Sequence, residues 1–373
     1  MVVKRLATLI VVAGVALVLA ACEPSGDCGR VLTSDTTLQA DILNCPGDGL
    51  VIGADGIVVR LNGHTVDGTE AAGSAGIRLA GPDDVLIEGP GRITGFADGV
   101  HVENGLRNRV RDLTSTGNGF GIHLIDADAN RVLGNDARDN LGSGANPPLG
   151  IPRAGILLER SDGNLVEGNE LFQNAGGPGV ALVGSSSNRV LANVARNSDN
   201  PDIWLRESHR NVVAGNHSTG SNVVAIELQA SGDNLVERNI ASDNESEGIT
   251  VSAGSWRNIV RFNTVAGNFN VGISVNDAVG TVVRGNVTSS NGSIADGIQV
   301  RAATSGTVVR DNTSNGNGDD GIDVDSPSTR ILDNTANGNG DLGIEAVAGV
   351  TDGGGNTASG NGNPLQCTGV VCS

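Results

Sequence analysis

Two of the five histidines in the chain stand at the same position of a recurring four-residue motif. The motif reads Gly99-Val-His101-Val in one copy and Gly121-Ile-His123-Leu in the next, and Arg78 holds the same position one copy earlier. A pair of imidazoles beside a guanidinium supplies a base, a partner acid and a positive charge, which proton abstraction next to a carboxylate requires. The spacing therefore predicts a catalytic cluster of Arg78, His101 and His123, with chance alignment as the alternative.

Three other residues of the same pattern have the chemistry to bind a sugar chain. Glu103 follows His101 by two positions, and Trp204 and Arg206 hold the matching pair of positions in a later copy. An indole can stack on a sugar ring, and a guanidinium can pair with a uronate carboxylate. Residues 140–154 form the one long insertion between copies, where they could wall a groove beside His123. We therefore predict substrate-binding roles for Glu103, Trp204 and Arg206.

Aspartates cluster in the segment Asp319-Asp-Gly-Ile-Asp323-Val-Asp325. Carboxylates that stack at strand spacing repel one another, and a bound Ca²⁺ would relieve that repulsion. The segment predicts a calcium site at Asp320, Asp323 and Asp325, which makes Ca²⁺ the one cofactor we consider. A solvated negative surface is the alternative interpretation.

The elements that must position these residues are short strands of an internal repeat. Each unit of about 23 residues holds three apolar runs of period two, separated by Gly, Asn and Asp turns, and it has no helical pattern. The repeat predicts an all-β chain: a single right-handed parallel β-helix (solenoid) of about 12–13 coils with disulfide-stapled ends. Gly-Ile-x-Val units open at Gly76, Gly99, Gly121, Gly155, Gly179, Gly248, Gly272, Gly297, Gly321 and Gly343, with degenerate copies at Asp202 and Ala225.

The motif also predicts which side chains face solvent. In Gly-Ile-x-Val the Ile and Val point inward and the x residue points outward, so the candidate residues above share one outward face. Recurrent asparagines, such as the pair Asn234 and Asn239, fall at the coil corners. Asparagine tolerates left-handed backbone and bonds neighbouring amides, so we expect structural ladders there.

These features together resemble the pectin-lyase-like superfamily, and most closely its NosD-type branch of carbohydrate-binding and sugar-hydrolase repeats. The segments Cys45-Pro-Gly-Asp-Gly-Leu-Val-Ile-Gly and Leu61-Asn-Gly-His64-Thr-Val are similar to the opening coils of secreted members. The resemblance spans residues 28–373 and implies polysaccharide-active sites on an outward face. The Trp-Ile-Asp-His, Gly-His-Gly and Asp-Pro-His-Asp signatures of pectate lyases, polygalacturonases and alginate epimerases are missing. Copper handling is not implied, because soft copper sites use Met and free Cys.

The N-terminus indicates export. Lys4 and Arg5 precede an apolar run to Ala21, and Leu19-Ala-Ala-Cys22 resembles the bacterial lipobox, which predicts lipidation of Cys22 and a lipid membrane as partner. We expect a signal peptide (1–21), a lipidated tether (22–30), the β-helix (31–352) and a disulfide-bearing cap (353–373).

The four remaining cysteines predict two disulfides in an exported chain. Because the two ends of a β-helix lie far apart, the pairs must be Cys28–Cys45 and Cys367–Cys372.

The net charge of −18 argues against nucleic-acid binding, because phosphates would be repelled. We expect a monomer that is lipid-anchored in the cell envelope. Three functions remain open: a surface binding or structural module that contacts an acidic or neutral polysaccharide, a polysaccharide lyase or uronate C5-epimerase, and a calcium-stabilised adhesin-like rod. Whether the protein is an enzyme stays undecided.

Overall fold

The chain folds into three long parallel sheets that wind as one solenoid. The computed structural model describes residues 24–140, 153–174 and 176–373, and these residues contain no helix. Three successive strands make one coil, and each strand pairs in parallel with its counterpart one coil later. The predicted all-β, right-handed parallel β-helix is therefore confirmed.

Sheet 1 has 15 strands and contains the candidate site. Its strands are β1 (Arg30–Leu32), β4 (Leu50–Ile52), β7 (Ala75–Ala80), β10 (Asp98–Glu103), β13 (Phe120–Ile125), β16 (Ile156–Glu159), β19 (Val180–Val183), β22 (Ile203–Arg206), β25 (Ile226–Gln229), β28 (Ile249–Ser252), β32 (Ile273–Val275), β36 (Ile298–Val300), β39 (Ile322–Val324), β42 (Ile344–Ala346) and β45 (Cys367–Thr368).

Sheets 2 and 3 have 14 strands each and form the other two sides of the solenoid. Sheet 2 comprises β2 (Thr36–Thr37), β5 (Val58–Arg60), β8 (Leu86–Glu88), β11 (Arg109–Arg111), β14 (Arg131–Leu133), β17 (Leu165–Glu167), β20 (Arg189–Leu191), β23 (Val212–Ala214), β26 (Leu235–Glu237), β30 (Ile259–Arg261), β34 (Val282–Arg284), β37 (Val308–Arg310), β40 (Arg330–Leu332) and β43 (Thr351–Asp352). Sheet 3 comprises β3 (Ile42–Cys45), β6 (Thr65–Gly68), β9 (Arg92–Thr94), β12 (Thr114–Thr116), β15 (Asp136–Arg138), β18 (Glu170–Phe172), β21 (Val194–Arg196), β24 (His217–Thr219), β27 (Ile240–Ser242), β31 (Thr264–Ala266), β35 (Val287–Ser289), β38 (Thr313–Asn315), β41 (Thr335–Asn337) and β44 (Thr357–Ser359). A two-stranded pair, β29 (Ser255–Trp256) and β33 (Ala278–Val279), lies outside these sheets.

The solenoid has about 14 turns rather than the expected 12–13. The Gly-Ile-x-Val motif identifies the interior coils, but the first and last strands of sheet 1 do not carry it. Strands β1 and β4 read Arg-Val-Leu and Leu-Val-Ile, and β45 begins at the disulfide-bonded Cys367. The end coils therefore escape a count based on the motif.

The core is one continuous aliphatic column. Ile122, Ile249 and Ile322 occupy equivalent inward positions of sheet 1, and each is fully buried in the same hydrophobic cluster. Adjacent inward residues pair in register along the sheet, so the apolar side chains stack coil upon coil. Burial of a branched aliphatic side chain contributes about 1.5–3 kcal/mol, so this column is the main source of stability.

Asparagine ladders hold the corners, as expected. Asn216 is typical: its Oδ1 accepts the backbone N–H of Asn193 at 2.9 Å, and its Nδ2 donates to the carbonyl of Val190 and to Oδ1 of Asn239, both at 2.9 Å. Each buried amide thus satisfies its neighbours in the coils on either side.

The two predicted disulfides are confirmed near the two ends of the solenoid. Cys28 and Cys45 have Cα atoms 5.3 Å apart, and Cys367 and Cys372 have Cα atoms 6.2 Å apart. Disulfides are typical of exported proteins, so the expectation of export is supported. Sheets 1 and 3 continue through β45 and β44, respectively, into the segment 353–373.

The predicted signal peptide, the predicted lipidation site Cys22 and insertion residues 141–152 lie outside the described residues. Within the described part of the chain, no helix has the length and apolarity needed to cross a membrane.

Candidate functional site

The register of sheet 1 brings the predicted catalytic residues side by side. His101 in β10 pairs with Arg78 in β7 on one side and with His123 in β13 on the other. Both imidazoles are largely buried, with 7% of each residue exposed. Their ring centroids lie 5.7 Å apart at an interplanar angle of 86°, so the two rings meet edge to face.

A residue that sequence reasoning missed lies at the centre of this cluster. Asp98 Oδ2 lies 2.6 Å from Nδ1 of His101 and 3.4 Å from Nδ1 of His123. Asp98 begins strand β10, at a position where the adjacent coils carry Ala75 and Phe120. The sequence does show a carboxylate immediately before the Gly99-Val-His101 motif. Because Asp98 is not one of the outward x residues of the repeat, its contact with both imidazoles could not be predicted from the motif.

The three groups control one another's ionisation. Burial alone would raise the pKa of Asp98, but the neighbouring His123 and His101 hold the pKa of that carboxyl well below its usual range. Burial likewise would lower the pKa of His123, but the charge of Asp98 and the contact with Glu159 raise it to about 9. His123 is therefore protonated at neutral pH, and Asp98 is ionised.

Carboxylates also face the far side of each imidazole. Glu103 Oε2 lies 3.7 Å from Nε2 of His101, and Glu159 Oε2 lies 3.7 Å from Nε2 of His123. These distances are too long for hydrogen bonds, and Nε2 of His123 is a buried nitrogen without a hydrogen-bond partner among the described residues. Each ring is thus placed between Asp98 on its Nδ1 side and a glutamate on its Nε2 side.

Arg78 is adjacent in the sheet but is directed elsewhere. Its Nε and Nη2 donate to the two carboxylate oxygens of Asp48 at 2.7 and 2.9 Å, and Nη2 also donates to the carbonyl of Gly73 at 2.6 Å. In this bidentate ion pair, the Nε and Nη2 donors of Arg78 bind Asp48 and are not directed at a substrate carboxylate. The structure therefore groups His101 and His123 with Asp98, and Arg78 with Asp48.

Trp204 and Arg206 lie in β22, three strands beyond the strand β13 that carries His123. They line a groove of about 480 Å³ together with Glu207, Gln229, Ala230 and Ala253. The guanidinium of Arg206 lies 5.8 Å from the centroid of the Trp204 ring. Nε1 of Trp204 is buried and has no hydrogen-bond partner among the described residues, so this indole keeps an unused donor.

An apolar strip connects the histidines to this groove. Leu157 and Ala181 are the outward residues of the two intervening strands, and both are buried. Together with Ala154 they form a small cluster, against which Phe120 and Trp204 pack. The outward face of sheet 1 is therefore polar at the histidines, apolar in the middle and mixed at the tryptophan.

The aspartate cluster occupies a separate stretch of sheet 1. Burial and neighbouring carboxylates raise the pKa of Asp296 to about 7, that of Asp320 to about 8 and that of Asp323 to about 6. Among the described residues, the acidic triples with oxygens within 4.8 Å are Asp319/Asp320/Asp341 and Asp320/Asp323/Glu345. The structure thus brings Asp320 and Asp323 together with Glu345, whereas the exposed Asp325 belongs to neither triple.

A family model and two solved structures support the β-helix fold. The family model described as "Periplasmic copper-binding protein (NosD)" matches residues 97–271. The Dettilon tailspike protein (gp208) is 18% identical with a TM-score of 0.51, and the alignment covers 91% of this chain but only 62% of the tailspike chain. DFA-IIIase from Arthrobacter chlorophenolicus A6, solved in complex with GF2, is 15% identical with a TM-score of 0.50 over 83% of this chain and 84% of its own. The periplasmic alginate epimerase AlgG is 15% identical with a TM-score of 0.47, over 84% and 76%. No curated protein matches at a significant level.

The copper named in the family description can be tested against the donors in this chain. Two imidazoles and the carboxylate of Asp98 suit a divalent ion such as Cu²⁺, which prefers nitrogen and oxygen ligands. They do not suit Cu⁺, because the single methionine is Met1 and the four described cysteines form disulfides. The donor set fits copper only in its divalent form. The chain thus has the right-handed parallel β-helix fold of pectin-lyase-like proteins, with similarity to the NosD family over residues 97–271.

Proposed function

We propose that this exported protein binds a glycan along the outward face of sheet 1, with Trp204 as the main contact. The groove of about 480 Å³ beside Trp204, Arg206 and Gln229 carries the proposal. Sugar rings present an apolar face that stacks on indole, and their hydroxyl groups can bond a guanidinium and an amide.

Leu157 and Ala181 lie between this groove and the histidines, but both are buried, so the proposed glycan surface is the Trp204 groove itself. Three strand spacings of about 4.8 Å separate Trp204 from His123, so the groove lies roughly 14 Å from the histidines. Glu227 pairs with Trp204 in the next strand, and burial raises the pKa of its carboxyl. This residue adds a hydrogen-bonding group beside the indole.

The charges on this face favour a neutral glycan over a polyuronate. Glu103, Glu159 and Glu227 lie along it, and the guanidinium of Arg78 is already paired with Asp48. Arg206 and the protonated His123 are exceptions, but Nε of Arg206 lies 3.5 Å from the carboxylate of Glu207 and Nδ1 of His123 lies 3.4 Å from Asp98. An anionic chain would meet more negative than positive groups, in a protein whose net charge is −18.

A binding assay with the two tryptophans as a matched pair tests the proposal. The purified residues 23–373 are applied to a glycan array, and the best neutral ligand is then measured by calorimetry. Trp204→Ala should weaken binding about fivefold or more, because stacking on an indole is worth at least ~1 kcal/mol. Trp256→Ala is the control, since that ring does not line the groove and packs instead against His209, with ring centroids 4.7 Å apart.

Two outcomes would overturn the glycan proposal. Equal losses in the two tryptophan variants would show that the groove is not the site. No binding to any glycan would leave a passive structural rod as the function. Preferred binding of uronates would keep the site but refute the charge argument.

We also propose that the protein is held on a membrane by a lipid on Cys22. The support is the sequence Leu19-Ala-Ala-Cys22 after a short basic and apolar leader. Metabolic labelling with an alkyne fatty acid should mark the wild-type chain and not a Cys22→Ser variant. Equal labelling of both chains would refute the anchor.

A lyase or uronate C5-epimerase activity is the second candidate, favoured by the contact of 2.6 Å between Asp98 and His101. A carboxylate that orients an imidazole through Nδ1 is the usual support for a histidine base. The expected observation is a change in uronide chain length or C5 configuration that His101→Ala and His123→Ala abolish. Glycan binding without turnover, unchanged in both variants, would exclude the enzyme.

A further inference from the structure

We propose that Asp98, His101 and His123 bind one divalent transition-metal ion of the Zn²⁺ and Cu²⁺ class. The ligands are one carboxylate oxygen and two imidazole nitrogens, and their donor atoms lie within 4.8 Å of one another. The proposal concerns different residues from those of the Trp204 groove. It therefore stands or falls independently of glycan binding.

The distances suit such an ion. Zinc binds imidazole nitrogen and carboxylate oxygen at about 2.0–2.2 Å, so tetrahedral ligand atoms lie roughly 3.4 Å apart. Asp98 Oδ2 and Nδ1 of His123 are already 3.4 Å apart. Asp98 Oδ2 and Nδ1 of His101 are 2.6 Å apart, so ion entry requires this contact to open by less than about 1 Å.

The backbone holds the two imidazoles in place. His101 and His123 face each other across adjacent parallel strands, in a sheet whose opposite face is the aliphatic core. Both side chains are largely buried, so they have few alternative rotamers in which to move apart. A rigid pair of this kind needs little reorganisation to bind an ion.

The glutamates provide the strongest argument. Metal-bound histidines almost always direct their second ring nitrogen at a carboxylate, a carbonyl or water, which orients the ring and raises its basicity. Here Nε2 of His101 faces Glu103 and Nε2 of His123 faces Glu159, each at 3.7 Å, while both Nδ1 atoms face Asp98. Both rings therefore have a carboxylate near the second nitrogen, and shortening each 3.7 Å contact by about 0.7 Å would form the hydrogen bond that orients a metal-bound histidine.

The donor types select the ion. Two imidazoles and one carboxylate are borderline ligands, which favour Zn²⁺ and Cu²⁺ over Ca²⁺ and Mg²⁺. Three protein ligands leave at least one coordination position for water or another small ligand. Binding must displace the proton that His123 carries at neutral pH, after which Asp98, Glu103 and Glu159 surround the bound cation.

Calorimetry on the untagged, EDTA-treated residues 23–373 tests the site. Zn²⁺ and Cu²⁺ should each bind with a stoichiometry of one, and His101→Gln or His123→Gln should weaken that binding about 100-fold. Glu103→Gln should weaken it by a smaller factor of about 10. His64→Gln is the matched control, because His64 also contacts a carboxylate, with Nδ1 3.2 Å from Asp41, but belongs to none of the possible metal-ligand groups among the described residues.

Electron paramagnetic resonance of the Cu²⁺-loaded wild-type protein provides a test that needs no variant. The spectrum should show hyperfine coupling to two imidazole nitrogens, and Ca²⁺ in excess should not displace the ion. Coupling to one nitrogen, equal weakening in His64→Gln, or no site stronger than ~1 mM would each overturn the proposal. Circular dichroism of every variant separates loss of ligand from loss of fold.

Discussion

Replacement of Asp202 by asparagine should stabilise the protein at neutral pH. Asp202 stands where most coils carry the glycine of Gly-Ile-x-Val, and its carboxylate lies fully buried inside the solenoid. Its Oδ2 accepts a hydrogen bond of 2.5 Å from the hydroxyl of Ser218, while Oδ1 has no partner among the described residues. A buried carboxylate with one hydrogen bond is costly when it is charged.

The size of the effect follows from proton linkage. Burial raises the pKa of Asp202 from 3.8 to about 6, although Ser218, Ser198 and the backbone of Thr219 oppose this shift. Between those two values the folded protein binds the proton more tightly than the unfolded chain, so stability falls as the pH rises. Two pKa units correspond to about 3 kcal/mol, which is lost by pH 7.

Urea unfolding of both chains at pH 4 and pH 7.5 measures this effect. The asparagine cannot ionise but keeps an oxygen for Ser218, so Asp202→Asn should gain up to about 3 kcal/mol over wild type at pH 7.5 and little at pH 4. Asp277→Asn, at an exposed position, removes the same formal charge and should give no such difference. A variant that is destabilised equally at both pH values would refute the reasoning.

Three further predictions concern the corners, the first coil and the acidic cluster. Asn239→Ala removes the acceptor for the backbone and side chain of the preceding ladder residue and should cost about 2–4 kcal/mol in urea unfolding; a cost below ~1 kcal/mol would contradict the ladder's role. Opening the bond between Cys28 and Cys45, which lie 17 residues apart, should lower the free energy of unfolding by about 3 kcal/mol and speed amide exchange in the first coils only. The raised pKa values of Asp320 (about 8) and Asp323 (about 6) mean that stability falls as pH rises from about 4 to 8. Ca²⁺ should reverse that fall in a thermal melt and lose its effect in Asp320→Asn, and an unchanged Tm with Ca²⁺ would exclude the calcium site.

The fold could be predicted because the core residues and the turn residues repeat with the same period along the sequence. The inward Ile of Gly-Ile-x-Val and the corner asparagines recur with one period, so register, strand direction and the outward face follow together. The pairing of Arg78 with His101 and of His101 with His123 is a consequence of that period alone.

The chemistry of the site could not be predicted in the same way, because it depends on side chains that break the repeat. Asp98 occurs once at its position, and its contacts with both imidazoles depend on how the strand enters the sheet at Gly99. Arg78 has the correct position but is bound by Asp48, a residue 30 positions earlier in the sequence, and periodicity carries no information about such a partner.

Because the strands of sheet 1 pair in the same way in every coil, distances along the solenoid axis are multiples of one coil spacing. Every interior strand of sheet 1 pairs with the strands of the coils before and after it, so deletion of one whole coil between His123 and Trp204 would leave an unbroken sheet and shorten the distance between these residues by about 4.8 Å. Duplication of that coil would lengthen the distance by the same step. The distance between the histidines and the Trp204 groove can therefore change only in steps of one coil. Duplication of a gene segment that encodes one coil would make such a change while both sites keep their local geometry.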